Sequence, residues 1–254
     1  MAATALIRGV PRSFDRALVR EGMPRIDVDL ASAQHDGYRS HLQAAGYVIE
    51  SVPADEDHPD CVFIEDTAVI VGTMAVITRP GAPTRRGETG PVARALSARF
   101  PLVEIESPGT VDGGDVIRLH RHLYIGRSTR TNEAGIDQLS EVAIGQELGV
   151  TVVEVTDVLH LKSAVLPIDQ ETVVVTPNTV DEKALGALRI VYEAGSERHR
   201  FSALPMRDGR VLVTAAAPQT TEMVAGLGHQ VTPIDVSEIQ AADGGLTCMS
   251  ILFE

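Results

Sequence analysis

Tryptophan is absent from the sequence, and Phe and Tyr bring the aromatic share to only 4%. Hydrophobic residues still make up 44% of the 254 positions, so the chain has apolar material for one large domain or two small ones, and a disordered tail is excluded. Cysteine is scarce: Cys61 and Cys248 stand nearly the whole chain apart, which excludes a disulfide framework and a metal cluster of the Cys-x-x-Cys type. A thiol that matters here acts as a thiol. Positive charge is in deficit, with 22 Lys and Arg against 35 Asp and Glu and a net charge of −13. Most of such a surface repels a nucleic-acid backbone and favours a small cation. No stretch approaches the roughly 18 uninterrupted apolar residues of a membrane span, and the apolar opening is broken at Arg8. The expectation is a soluble cytoplasmic protein with neither nucleic-acid nor membrane partners. Gly (22) and Pro (14) are scattered, which excludes low-complexity sequence and predicts many short elements.

What is present repeats. Asp66–Val71 and Met74–Thr78 are two apolar runs around a short turn, the pattern of a hairpin. The pattern returns at Asp115–Leu119 with Leu123–Gly126, at Ser163–Ile168 with Thr172–Thr176, and at Ala203–Met206 with Arg210–Thr214. Helical character follows each second run, over Gly90–Phe100, Asn132–Leu148, Val180–Ala194 and Thr220–Leu227, and most of these lead into a further apolar run. The unit is ββαβ, at a spacing that signals propellers or arrays. A fifth unit is split: Thr247–Phe253 at one end, and Ala5–Val10, a helix from about Leu30 to Ala45 and Tyr47–Ser51 at the other. Joining the terminal strands closes a ring and removes the edge strands of an open sheet. The prediction is an α/β protein, a five-bladed α/β-propeller with pseudo-five-fold symmetry, forming a single domain over residues 1–254. An ordinary α+β sandwich is the alternative.

Four places carry polar groups beside turns or strand ends. Asp60-Cys61-Val62-Phe63-Ile64-Glu65-Asp66 brackets an apolar run with three carboxylates, which elsewhere are simply solvated. Gly109–Asp115 places Asp112 before a Gly-Gly pair, which either forms an ordinary turn or lets a ligand approach the backbone. His160 lies between Leu159 and Leu161 on an expected short strand, the setting of a hydrogen-bonded core residue as well as of a catalyst. Cys248 follows a second Gly-Gly turn, and as a free Cys it also suits a small buried hydrophobe. The coincidence of a thiol, an imidazole and a carboxylate supplies a nucleophile, an acid-base and an orienting group.

Taken together, Asp60–Asp66, Ile77–Arg86, Arg130-Thr131-Asn132, Leu159–Ser163 and Asp243–Ser250 resemble, nearly end to end and in order, the dimethylarginine dimethylaminohydrolases of the guanidine-modifying, five-bladed pentein superfamily. The resemblance implies hydrolysis of Nω-methylated arginines to citrulline and a methylamine. It places the nucleophile on Cys248, the acid-base on His160 and the third catalytic group on Asp112. Asp66 and Glu65 would bind the guanidinium, Arg85 and Arg130 the carboxylate, and Asp60 with the carbonyls of Leu18 and Ala242 the α-ammonium group. Leu18 would belong to a mobile lid over Arg12–Asp29, and Cys61 would be structural.

The implied partner is a small cationic guanidino amino acid, and a homodimer is compatible with the sequence. No cofactor is implied. Three scattered ligands are not the closed tetrahedral set of structural zinc, so zinc would act only as an inhibitor at Cys248. Departures from the family pattern are Ala203-Leu204-Pro205 where an Ala-Asn-Cys string is usual, and Ala242 in place of a larger aliphatic residue. Neither touches the catalytic positions, but both bear on substrate size and oligomer contacts. The rival readings are an arginine deiminase or another guanidine-modifying pentein, and, from a different class, a non-catalytic propeller such as a ribosome anti-association factor.

Overall fold

In the computed structural model, which describes residues 2–19, 25–197 and 200–254, each apolar run that the sequence sets around a turn forms a hairpin. Strand β1 (Thr4–Arg8) leads through helix α1 (Val28–Ala44) to β2 (Val48–Val52). Next come β3 (Ala68–Val71), β4 (Met74–Ile77), α2 (Thr89–Leu96) and β5 (Leu102–Glu104), then β6 (Val116–Leu119), β7 (His122–Arg127), α3 (Glu133–Gly145) and β8 (Gly149–Glu154). The chain continues through β9 (Val165–Pro167), β10 (Thr172–Val175), β11 (Arg189–Tyr192), β12 (Ala203–Pro205), β13 (Arg210–Thr214), α4 (Pro218–Gly226), β14 (Gln230–Ile234), α5 (Ser237–Ala241) and β15 (Ser250–Phe253).

Five three-stranded sheets result: β3-β4-β5, β6-β7-β8, β9-β10-β11, β12-β13-β14 and β15-β1-β2. Each joins an antiparallel pair to a third strand that runs parallel to the central one. A parallel neighbour needs a crossover, and an α-helix supplies it in every sheet but β9-β10-β11. Two start where polar side chains stop the chain from extending: Asp27 accepts from Leu30 N–H and Asn132 from Gly135 N–H, satisfying backbone donors that a helix N-terminus leaves unpaired. Thr4 faces Phe253 and Ile7 faces Ser250, so the chain ends share one sheet, as the split repeat requires.

Two local expectations are corrected. Helical character over Val180–Ala194 shrinks to a 3-10 turn at Glu182–Leu185, because Gly186 ends it and the β-branched Ile190 and Val191 join β11, parallel to β10. His160 is not on a strand. It is the extended residue before a 3-10 turn, Leu161–Ser163, whose Ser163 N–H bonds back to the His160 carbonyl.

The chain divides into two compact units, Met1–Ile64 with Glu193–Glu254, and Glu65–Tyr192. The first holds two of the sheets around a core that includes Phe14, Tyr38, Leu42, Phe63, Leu212 and Ile239. Phe14 and Phe63 meet edge to face there at 5.8 Å. The second holds three sheets over two aliphatic cores, one around Val76, Leu123 and Leu139 and one around Ile117, Val153 and Val173. Of the expected lid, Arg12–Arg16 is a 3-10 turn, and positions 20–24 lie outside the described residues. Among the described residues no helix is long and apolar enough to cross a membrane.

Candidate active site

Within Glu65–Tyr192, His160 is 6% exposed and its Nε2 lies 3.0 Å from Asp112 Oδ2. Asp112 is fully buried; its Oδ1 accepts from Gly81 N–H at 2.8 Å, which sets the carboxylate plane. Asp66 reaches the same cluster, accepting from Gly114 N–H through Oδ1 at 2.9 Å and from Arg85 Nη1 through Oδ2 at 2.5 Å. The Gly-Gly pair is required by close approach. A Cβ on Gly114 would lie 2.7 Å from His160 Nδ1 and 2.9 Å from Asp66 Oδ1, and one on Gly113 would overlap the Glu65 carbonyl.

Burial alone would pull the His160 imidazole down, but the charge of Asp66, the hydrogen bond to Asp112 and the charges of Asp115 and Asp112 push it up to about 9. Burial likewise raises Asp66, and His160 and Arg85 outweigh it and bring the carboxyl to about 2. Asp112 and Asp66 therefore face an imidazolium at neutral pH. Donor atoms of Asp66, Asp112 and His160 lie within 4.8 Å of one another. With the imidazole protonated, His160 there can act as a proton donor.

The raised pKa makes stability depend on pH. Folding captures a proton that the unfolded imidazole, with an ordinary value of 6.5, holds less tightly, so the stabilisation is complete below pH 6.5 and is lost as the pH climbs through about 9. The thermal midpoint is expected to fall between pH 7 and 10, and to fall less in His160→Gln. A wild-type midpoint as flat as that of the variant would refute the imidazolium.

The other expected residues of this unit separate into two kinds. Arg85 is 5% exposed and its guanidinium is committed to Asp66 and, through Nε and Nη2, to Glu88 at 2.8–3.2 Å. Arg130 is half-buried, and among the described residues no carboxylate pairs with its side chain. Glu65 accepts from Lys162 Nζ at 2.6 Å, which also donates to the Gly113 carbonyl at 3.2 Å. Sequence reasoning missed Glu88 and Lys162 as partners; the i,i+3 spacing of Arg85 and Glu88 in the turn Pro83–Glu88 was the available signal.

Within the other unit, Asp60 is buried and accepts from Leu18 N–H at 2.9 Å, so these two expected residues meet. Ala242, 4% exposed, ends α5 and leads into the Gly244-Gly245 turn. A Cβ on Gly244 would overlap the Phe63 ring, and one on Gly245 would lie 2.7 Å from Ser202 Oγ. Ser202 Oγ accepts from Leu246 N–H at 2.8 Å and pins the turn. Cys248 sits in the 3-10 turn Thr247–Met249, partly exposed and outside any disulfide, and its Sγ accepts from Gly245 N–H at 3.3 Å. A backbone donor at sulfur favours the thiolate.

The arginine deiminase family model matches residues 32–202. A dimethylarginine dimethylaminohydrolase of Streptomyces coelicolor is 36% identical over 247 residues, covering 96% of this chain and 94% of that protein. Its counterpart in Pseudomonas aeruginosa is 33% identical over 250 residues, 98% of each. The chain belongs to the arginine deiminase family, among the dimethylarginine dimethylaminohydrolases. A crystal structure of the Pseudomonas aeruginosa enzyme, a cysteine-to-serine variant complexed with citrulline, superposes with a TM-score of 0.95 over 100% of both chains at 32% identity. The five sheets are thus the blades of a pentein α/β-propeller, four of them ββαβ, and the dimethylarginine dimethylaminohydrolase family makes this chain a hydrolase.

Proposed function

We propose that this hydrolase converts Nω-methylated L-arginines, asymmetric dimethylarginine and monomethylarginine, to L-citrulline and a methylamine through a covalent adduct on Cys248. The observation that carries the reading is the buried imidazole of His160, bonded to Asp112 and beside the carboxylate of Asp66, in a chain whose Pseudomonas aeruginosa relative binds citrulline.

The Cys248 thiolate attacks the guanidinium carbon and forms a C–S bond. An ordinary thiol, with a pKa near 8.5, is mostly protonated at neutral pH, so the Gly245 N–H and the cationic substrate supply the stabilisation that ionises it. His160 gives its proton to the methylated nitrogen as the C–N bond breaks, because an amine leaves and an amide anion does not. The product of this half-reaction is an S-alkylthiouronium on Cys248. Neutral His160 then takes a proton from water, whose oxygen adds to the same carbon; the C–S bond breaks and citrulline departs. One imidazole serves both half-reactions.

Asp66 and Asp112 hold the guanidinium by charge-assisted hydrogen bonds, with Glu65, whose charge Lys162 offsets, in support. Arg130 takes the substrate carboxylate, with Arg85, whose guanidinium is bonded to Asp66 and Glu88, adding positive charge, and Asp60 with the carbonyls of Leu18 and Ala242 takes the ammonium group. Residues 1–254 act as one cytoplasmic catalytic domain. The chemistry uses no cofactor, and zinc would inhibit by capturing the Cys248 thiolate.

The description of the matching family model favours a second reading, a deiminase acting on unmodified arginine. Citrulline release from dimethylarginine, monomethylarginine and arginine under one set of conditions separates the two. Faster turnover of the methylated substrates is expected. A preference for arginine would move the assignment to the deiminase, and no citrulline from any of them would leave a binding protein.

A further inference from the structure

Asp115 is fully buried, and among the described residues no lysine or arginine pairs with it. A buried carboxylate needs hydrogen bonds in compensation, and it has three. Its Oδ1 accepts from Leu161 N–H at 2.8 Å, and its Oδ2 from Ser128 Oγ and Thr131 Oγ1, both at 2.7 Å. Thr131 Oγ1 in turn accepts from Asp112 N–H at 3.1 Å, and Ser128 Oγ from the N–H groups of Arg130 and Thr131 at 3.0 and 3.2 Å. The side chain thereby ties together the residue after His160, the backbone of Asp112 and the turn that carries Arg130. The approach is so close that a Cβ on Gly126 would lie 2.7 Å from Asp115 Oδ1.

The chemistry of these partners selects a carboxylate. Three donors converge on two oxygens, and the two hydroxyls already receive backbone N–H groups, so each has its proton left to give. An asparagine would turn its NH2 toward at least one of these donors and leave a buried group unpaired.

We infer that Asp115 is a positioning residue, which locks His160 onto Asp112 and lends the imidazolium a further buried negative charge. The inference rests on the hydrolase reading above. The charged groups around His160 are Asp112 on its Nε2, Asp66 with Arg85 and Glu88 behind it, Asp115, and from its own turn Lys162, which is paired with Glu65. Burial raises Asp115 to about 6 against the opposing pull of His160 and of its own hydrogen bonds, so at neutral pH it is charged.

The test compares Asp115→Asn, Thr131→Val and Thr131→Ser for citrulline release across pH, with the His160 ring titrated by NMR in each folded protein. Asp115→Asn removes a negative charge, so the His160 titration and the alkaline limb of kcat should both move down by about one pH unit. Misplacing the acid should lower kcat by about 10- to 100-fold with little change in KM. Thr131→Val keeps the carboxyl in place but cuts its tie to Asp112, so kcat should fall while the His160 titration moves less than in Asp115→Asn, and Thr131→Ser should restore kcat. An Asp115→Asn protein with wild-type titration and kcat overturns the inference. If that variant does not fold, an unchanged kcat in Thr131→Val overturns it instead. The failure of the hydrolase reading is recognised separately: the wild type would turn over none of the guanidines, while the NMR titration would still report whether Asp115 sets the protonation of His160.

Discussion

Cys248→Ser is expected to lower citrulline release from dimethylarginine by on the order of 10⁴-fold or more, the scale seen when a nucleophile is removed from an otherwise intact site. The substitution exchanges sulfur for oxygen at a partly exposed position whose backbone is held by the Ser202–Leu246 bond and by the packing of Gly244 against Phe63, so the fold should survive. What is lost is ionisation. One N–H from Gly245 helps a thiol become a thiolate, but an alcohol, whose pKa lies far higher, stays protonated. Calorimetry should therefore show dimethylarginine still binding to a protein that does not turn it over. Mass spectrometry of a His160→Gly variant with an S-alkylthiocitrulline, whose thiolate leaves without needing a proton, should show the thiouronium adduct, because its hydrolysis lacks the base. Turnover by the serine variant at more than a few per cent of the wild-type rate would remove Cys248 from the mechanism.

The second large effect concerns the two arginines that the sequence groups together. Arg85→Ala should cost about 3–5 kcal/mol of stability, because it removes the guanidinium that is ion-paired with both buried carboxylates, Asp66 and Glu88. Arg130→Ala should change stability by less than about 0.5 kcal/mol and raise KM instead, since Arg130 is half-buried and, among the described residues, has no ion pair to lose. Urea unfolding and steady-state kinetics on the two variants distinguish the roles. If Arg85→Ala unfolds at the wild-type urea concentration and raises only KM, Arg85 holds the substrate and not the site.

The ββαβ repeat was legible because it is written in local periodicity. Two apolar runs about a turn, a polar break and a helical stretch fall within about 50 residues, and the hairpins β3-β4, β6-β7, β9-β10 and β12-β13 follow them. The split repeat was legible as two strand-like ends without partners, and β15 pairs with β1. The missing helix of the third repeat was not legible, since Gly186 and a β-branched pair outweigh helical composition only where β10 offers a parallel edge. The residue types of the site were likewise in view: His160 and Asp112 are bonded, and Asp60 and Leu18 meet.

The sequence by itself therefore determined the repeat, the family and the set of groups from which the chemistry is drawn. Only the tertiary structure decided which charges oppose one another. Glu65 is offset by Lys162 across 97 positions of chain, Arg85 is spent on Asp66 and Glu88, and Asp115, indistinguishable in the sequence from any turn aspartate, fastens three segments together. The physical reason is that strand and turn preferences act between neighbours along the chain, whereas a buried carboxylate takes its protonation state from whatever folding brings within a few ångströms.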